Sequence, residues 1–160
     1  MKTHLNVMIV GAGGNGSWLV NRLDWLIQKE QIPDSMRFTI FDGDTVERKN
    51  LMYQDFASKH ILENKVNALA ARYEVSPQAK FVTDPKDMEP FDMVICCVDN
   101  RDFRELMFRF MDAHPDKYWL DVRAEGQNVL IYAKSKQNTL EAMLKTLPAS
   151  SGPTSCQRQY

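Results

Sequence analysis

Short apolar runs and longer helical stripes alternate along the first part of the chain. Residues 5–10 form a β-prone apolar run that ends at Gly11, which is typical of a buried strand. Residues 17–30 place apolar side chains at helical spacing until Pro33 breaks the pattern. Residues 37–41 form a second β-prone run. Together these elements predict one βαβ unit, whose crossover is right-handed in a parallel sheet.

The rest of the chain continues this alternation. The predicted elements are a helix over 58–73 capped by Ser58, a weak strand over 79–82, a strand over 91–98, a helix over 101–112, strands over 118–122 and 128–132, and a short helix over 140–147. Strands that alternate with helices favour a Rossmann-like, doubly wound α/β fold, in which a mainly parallel sheet carries helices on both faces.

The composition is that of an ordinary folded domain. Of 160 residues, 44% are hydrophobic and 26% are charged, which excludes a disordered chain. The net charge of -1 gives no reason to expect nucleic acid or an anionic membrane as a partner. No apolar run approaches the roughly 20 residues of a membrane helix, and we expect no signal peptide. Three cysteines without a CxxC pair exclude a disulfide framework and a tetra-thiolate zinc site, so we expect a cytoplasmic protein.

A glycine-rich turn follows the first predicted strand and precedes the first helix. Its sequence, GAGGNG, matches the pattern GxGxxG through Gly11, Gly13, Gly14 and Gly16. Glycines allow a tight turn and let phosphate oxygens approach the backbone N–H groups at the start of the helix. The turn therefore predicts a nucleotide-phosphate site, and the alternative is a turn that is merely tight.

An acidic residue, Asp42, ends the second predicted strand. Dinucleotide-binding folds place a carboxylate there on the ribose hydroxyls, and such an acid disfavours the 2′-phosphate of NADP. The alternative is a solvated acid at a strand end. A small NAD-dependent oxidoreductase is one function open at this point, although its hydride-transfer site usually lies in a second domain, for which 160 residues leave no room.

Further motifs follow one another in order along the chain. Residues 42–54 read DGDTVERKNLMYQ, residues 64–68 read NKVNA, and residues 97–101 read CVDNR and are followed by Arg104. Gly126 comes after the fifth predicted strand. These segments resemble the ThiF/MoeB/HesA family, the adenylating domains of ubiquitin-activating-type enzymes, in its D-x-D-x-V-E-x-S-N-L-N-R-Q, G-x-x-K-a and D-N-x-x-x-R motifs and its turn glycine. The resemblance spans about four-fifths of the chain.

The resemblance implies an adenylating enzyme that uses ATP with Mg²⁺. Such an enzyme activates the C-terminal carboxylate of a ubiquitin-like or sulfur-carrier protein, releases pyrophosphate and forms a homodimer. By resemblance, we expect Lys65 to reach the nucleotide phosphates and Asp99 to hold Mg²⁺. We also expect Asn50 to donate a hydrogen bond to the phosphates. The other residues expected at the nucleotide are the glycines of the turn, Asp42, Asp44 and Gln54.

Some of these positions have a second interpretation. Lys65 is alternatively a solvated helix lysine, and Asp99 is alternatively the cap of the following helix, a role compatible with metal binding. At Tyr53 the family has an arginine, whose charge a phenol cannot supply. The family's N-terminal helix, which carries a further arginine, is not expected before residue 5. A catalytically impaired nucleotide-binding scaffold or sensor of the same fold is therefore the second functional hypothesis.

The character of the sequence changes after residue 133. We expect a nucleotide-binding adenylation domain over 1–133 and a crossover loop or flexible tail over 134–160. Cys156 in this tail is expected to be exposed, and both thioester or persulfide chemistry and an ordinary tail cysteine stay open. Cys96 and Cys97 lie in an apolar run and are expected to be inert core residues. Three tryptophans on apolar faces are expected in the core or at a dimer surface: Trp18, Trp25 and Trp119.

Overall fold

The computed structural model describes residues 4–125 and 128–148. Its strands are β1 (Leu5–Val10), β2 (Met36–Phe41), β3 (Ser76–Gln78), β4 (Met93–Cys96), β5 (Tyr118–Glu125) and β6 (Asn128–Ala133). Its helices are α1 (Gly14–Gln28), α2 (Lys65–Ala70), α3 (Arg101–Ala113) and α4 (Leu140–Lys145). The strands form one six-stranded sheet in the order β3-β2-β1-β4-β5-β6.

The sheet is parallel from β3 to β5, and β6 runs antiparallel to β5. The strand order reverses between β1 and β4, because the chain winds outwards from β1 on one side and from β4 on the other. At such a reversal the loops diverge and leave a crevice at the carboxyl ends of the strands. The doubly wound α/β fold expected from the sequence is therefore confirmed, and its topology predicts where a ligand binds.

Strand β1 supplies apolar side chains to both faces of the sheet. Val7 and Ile9 join the core layer that includes α1 and α2, whereas Met8 and Val10 join the layer that includes α3 and α4. All four are buried. A strand covered on both faces reads as a continuous apolar run, which is why this one is evident in the sequence. Met143 of α4 is buried in the second layer, so α4 contributes to the same core.

The helix predicted over 58–73 is wrong in its first half. Ser58–His60 forms a short 3₁₀ turn, and α2 begins only at Lys65. The N-cap of α2 is Asn64, whose side chain accepts a hydrogen bond from the backbone N–H of Val66. Ser58 is therefore not the cap of this helix.

The predicted helix is interrupted by pairing with the segment that follows β2. The backbone N–H of Val46 donates to the carbonyl of Glu63 at 2.8 Å, and the N–H of Leu62 donates to the carbonyl of Val46 at 2.9 Å. Leu62 adopts a φ of 71°, which is incompatible with an α-helix. This long-range pairing outweighs the local helical pattern and places the start of α2 beside the end of β2.

The strand predicted over 79–82 is wrong in its position. β3 ends at Gln78, whose partner in β2 is Phe41, the last residue of that strand. Residues beyond Gln78 extend past the end of their neighbour, so they have no partner for a ladder and form a loop instead. The loop includes Phe81, whose ring is consequently exposed.

The three tryptophans differ in their exposure to solvent. Trp18 and Trp25 on α1 are 52% and 38% exposed, so the interpretation of these two as core residues is wrong. Trp119 is buried and packs edge-on against Phe108 of α3. Across the described ranges, no helix combines the length and the apolar character needed to cross a membrane.

We expect the packing of α2 to depend on Leu69, which is fully buried. Leu69→Ala should lower the free energy of unfolding by about 2–5 kcal/mol, because it removes buried methyl groups and leaves a cavity. Leu62→Ala is the matched control: Leu62 is 83% exposed, and its loss should change stability by less than about 0.5 kcal/mol. Urea unfolding followed by circular dichroism measures both, and equal effects would contradict this packing.

Candidate nucleotide-binding site

The glycine turn joins β1 to α1 by a very close backbone contact. A Cβ on Gly16 would lie 1.8 Å from the carbonyl oxygen of Gly11, so only glycine fits there. Gly11 itself has a φ of 98°, which favours glycine. A Cβ on Gly13 would meet nothing within 4 Å, because that side of the turn faces the open crevice. The fold thus requires two of the glycines, and the crevice has room for a ligand at the third.

Asp42 ties the end of β2 to this turn. Its Oδ2 accepts a hydrogen bond from the backbone N–H of Ala12 at 2.6 Å, and its Oδ1 accepts one from the N–H of Asp44 at 2.8 Å. Burial raises the pKa of the Asp42 carboxyl, and these two hydrogen bonds oppose the rise. Each carboxylate oxygen has a second lone pair, so Asp42 can still accept hydrogen bonds from ribose hydroxyls.

Lys65 is a buried cation at the cleft. Its side chain is only 7% exposed, and Nζ lies 3.3 Å from Oδ2 of Asp44. The backbone repeats this contact, since the Lys65 N–H donates to the carbonyl of Asp44 at 3.0 Å. The interpretation of Lys65 as a solvated helix lysine is therefore wrong. The ammonium group is held at the cleft by its position at the start of α2.

Asn50 lies in the 3₁₀ turn Arg48–Met52, and Gln54 follows shortly after this turn. Gln54 lines the cleft and is 4% exposed, and among the described residues its Oε1 has no hydrogen-bond partner. A buried acceptor of this kind needs a donor from a ligand or from water. Asn50 is 1% exposed and does not line the cleft; its Oδ1 accepts from the N–H of Glu47 at 2.8 Å. Its contact with phosphates stays a prediction.

Asp99 follows β4 and lines the same cleft. The cap of α3 is its neighbour Asn100, whose Oδ1 accepts from the N–H groups of Asp102 at 2.8 Å and Phe103 at 3.1 Å. The alternative of Asp99 as this cap is therefore wrong. Within residues 4–125 and 128–148 no three His, Cys, Asp or Glu side chains are grouped for a metal. Mg²⁺ commonly needs only one or two carboxylates together with substrate phosphates, which a single Asp99 fits.

These residues surround one cleft of about 1040 Å³. It lies at the carboxyl ends of the parallel strands, on both sides of the β1–β4 reversal. The sequence-predicted residues that line it are Gly11, Gly13, Gly14, Asp42, Asp44, Gln54, Lys65 and Asp99. Gly16 lies behind the turn, as its contact with Gly11 requires. Gly126 and Cys156 lie outside the described residues.

The far wall of the cleft carries an ion cluster that the sequence analysis missed. Asp121 of β5 is completely buried between Arg104, with Nε 3.0 Å from its Oδ1, and Arg123, with Nε 2.7 Å from its Oδ2. Arg123 also donates to the carbonyl and hydroxyl oxygens of Thr146 after α4. Two guanidinium groups share one carboxylate, so this cluster carries net positive charge. The available signal was a charged residue, Asp121, within the strand predicted over 118–122.

Cys96 at the end of β4 and Cys97 directly after it do not provide a reactive thiol. Cys96 and Cys97 are buried, as expected from their apolar run. Burial raises the pKa of the Cys97 thiol to about 12. It therefore stays protonated at neutral pH and is a poor nucleophile.

The sequence matches the ThiF family over residues 3–159. The chain belongs to the ThiF family. Among solved structures it is similar to the E. coli tRNA N6-threonylcarbamoyladenosine dehydratase TcdA, with 20% identity and a TM-score of 0.64 over 79% of this chain and 55% of TcdA. It is also similar to E. coli MccB crystallised with AMPCPP and MccA, with 16% identity and a TM-score of 0.62 over 82% of this chain and 40% of that one. The chain thus spans about half the length of these proteins or less. A comparison with curated protein sequences gives no match.

Tyr53 distinguishes this ThiF-family chain from the motif quoted above. Its side chain lines the cleft where the motif has arginine, and Cδ2 lies 3.8 Å from the position of a Cβ on Gly14. Its carbonyl accepts a hydrogen bond from the Trp18 indole at 3.1 Å, which fixes the backbone of this segment to α1. The cleft therefore has a phenol, not a guanidinium, beside the glycine turn.

The two kinds of glycine in the turn should respond differently to alanine. Gly16→Ala should destabilise the fold by at least about 2 kcal/mol, because the methyl group collides with the carbonyl of Gly11. Gly13→Ala should cost less stability, about 0.5–1 kcal/mol for the loss of a glycine N-cap, but weaken nucleotide binding, because its methyl group enters the cleft. Thermal unfolding and calorimetric titration with Mg·ATP measure the two effects. A Gly13→Ala protein with unchanged ATP affinity would contradict phosphate approach at this turn.

Proposed function

We propose that this protein binds ATP with Mg²⁺ and adenylates the C-terminal carboxylate of a ubiquitin-like or sulfur-carrier protein. The observation that carries the proposal is the convergence of the glycine turn, Lys65, Gln54 and Asp99 on one cleft. These residues come from four separate segments of the chain. Membership of the ThiF family supports the same function.

The proposed reaction transfers an adenylyl group. An oxygen of the carrier carboxylate attacks the α-phosphorus of ATP and forms a mixed anhydride, while the bond to the α–β bridging oxygen breaks and pyrophosphate leaves. Negative charge moves onto phosphate oxygens during this step. Alignment of the two reactants and fixed positive groups therefore account for most of the acceleration.

The cleft offers groups suited to each part of this task. Gly11 and Ala12 already donate their N–H groups to Phe41 and Asp42, so Gly13 and Gly14 would donate theirs to the phosphates, whose charge the buried Lys65 ammonium balances. Mg²⁺ held by Asp99 and by phosphate oxygens would neutralise further charge on the leaving group. Asp42 would orient the ribose, and Gln54 Oε1, which lacks a partner among the described residues, would accept a hydrogen bond from the substrate. Because the contact with Asp44 already orients the Lys65 ammonium, this group needs little reorganisation when the phosphates bind.

The identity of the carrier rests on the family resemblance and not on the geometry of the cleft. The positive cluster of Arg104, Arg123 and Asp121 suits an acidic or carboxylate-bearing partner. A homodimer is part of the same proposal. The exposed indoles of Trp18 and Trp25 on α1 are compatible with such a contact.

Asp99→Asn should abolish the Mg²⁺ dependence of ATP binding and lower ATP–pyrophosphate exchange by about 10²-fold, because it removes the carboxylate that would hold the metal. Asp112→Asn, at the other end of α3 and exposed, is the control and should leave both unchanged. Exchange is measured with a panel of candidate carrier proteins and binding by calorimetry, with NAD beside ATP. Absence of ATP binding, or preferential binding of NAD, would contradict adenylation.

The position of Tyr53 in the cleft favours one second candidate, a scaffold or sensor that binds ATP without turnover. Under adenylation, Tyr53→Arg should tighten Mg·ATP binding and raise exchange by roughly tenfold, because it adds a bidentate cation beside the phosphates. Tyr53→Phe keeps the ring without charge and should leave both values near those of the unaltered protein. ATP binding without exchange in the unaltered protein, together with exchange in Tyr53→Arg, would favour the scaffold.

A further inference from the structure

Phe81 is an exposed aromatic side chain inside the cleft. It is 62% exposed and lines the cleft together with its neighbours Lys80, Val82 and Thr83. The same cleft is lined by the glycine turn and Asp42 and by apolar residues that include Phe41, Val98 and Phe103. Ligand pockets are typically lined by apolar and aromatic side chains together with a few polar groups that orient the ligand, and Phe81 is an aromatic side chain of this kind.

The ring of Phe81 rests against Gly43. Three contiguous ring carbons, Cδ2, Cε2 and Cζ, lie only 2.5–2.8 Å from the position that a Cβ on Gly43 would occupy. Gly43 does not have a positive φ, so its backbone conformation does not call for glycine. The ring occupies the space of a Cβ, so a larger residue at Gly43 would displace the ring from its present position.

The loop that carries Phe81 is anchored on both sides of the ring. On one side, Lys80 donates its N–H to the carbonyl of Gln78, and its Nζ lies 2.6 Å from Oδ1 of Asp87. On the other side, Val82 is 7% exposed and belongs to the core layer of α3 and α4. These contacts hold the backbone on both sides of Phe81 and so keep its side chain at the cleft.

Gly43 directly follows Asp42, so the platform adjoins the expected ribose position. The carboxylate of Asp42 lies at the glycine turn, where the phosphates are expected. In a nucleotide the base is attached to the ribose on the side away from the phosphates. A nucleotide with its phosphates at the turn and its ribose at Asp42 thus brings its base to the loop that carries Phe81.

We propose that Phe81, backed by Gly43, is the stacking platform for the base of the bound nucleotide. The inference rests on the proposed function, since it names the base subsite of the same cleft. Aromatic stacking on a base is effective because every base presents a flat π-face to the ring. Phe81 accordingly contributes affinity for a nucleotide that an inorganic polyphosphate does not gain.

The test compares a ligand with a base and one without. Calorimetry measures the affinity of the full chain for Mg·ATP and for Mg·tripolyphosphate. Phe81→Ala should weaken ATP binding roughly tenfold, the usual effect of losing one base–aromatic stack, and leave tripolyphosphate binding unchanged. Phe81→Tyr keeps the aromatic face and should retain the ATP affinity.

Gly43→Ala provides an independent arm, because it changes the support of the ring and not the ring itself. Its methyl group should displace the Phe81 ring and weaken ATP binding, while thermal unfolding shows that the protein still folds. The double variant Gly43→Ala/Phe81→Ala should bind ATP no more weakly than Phe81→Ala alone, because both changes act through one contact.

The outcomes separate this inference from the proposed function. ATP binding that is unaffected by Phe81→Ala, or an equal loss for tripolyphosphate, would overturn the platform and leave adenylation standing. Additive effects of the two substitutions would also overturn it. Failure of the unaltered protein to bind ATP would overturn both proposals together.

Discussion

The close approach of α1 to the end of β1 is the constraint on which the rest of the site depends. The carbonyl of Gly11 occupies the space that a side chain at Gly16 would need, so the helix can begin almost directly after the strand. Its first-turn N–H groups therefore face the crevice at the β1–β4 reversal. Asp42 reinforces this junction by accepting the N–H of Ala12 from a position 30 residues further along the chain. The turn is thus held from two sides.

Charged groups around the cleft are restrained in pairs. The Lys65 ammonium faces Asp44, and the two arginines of the far wall share Asp121. A cation held in this way keeps its orientation without a partner in the cleft, and it meets an incoming phosphate or carboxylate with little reorganisation. Breaking a buried pair of this kind leaves an uncompensated charge, so these residues serve stability as well as any chemistry.

Prediction from sequence succeeded where the signal is local and failed where a distant segment intervenes. β1 and the glycine turn are evident because a strand buried on both faces is apolar throughout and the close contact between Gly11 and Gly16 needs glycine. The helix predicted over 58–73 fails because Val46 pairs with Leu62 and Glu63. The local helical pattern is real, but it is weaker than the backbone hydrogen bonds that compete with it.

Within the site the same division holds. The alternation of strands and helices and the residues of the glycine turn were predictable from the sequence, because periodicity and backbone sterics act over short distances. Three features became evident only in the folded chain: Asn100 caps α3, Asp121 joins Arg104 to Arg123, and the loop after β3 brings Phe81 to Gly43. The last two arise from contacts between segments far apart in the chain. The loop that carries Phe81 begins where β3 and its neighbour β2 end together, and a local sequence pattern does not contain this information.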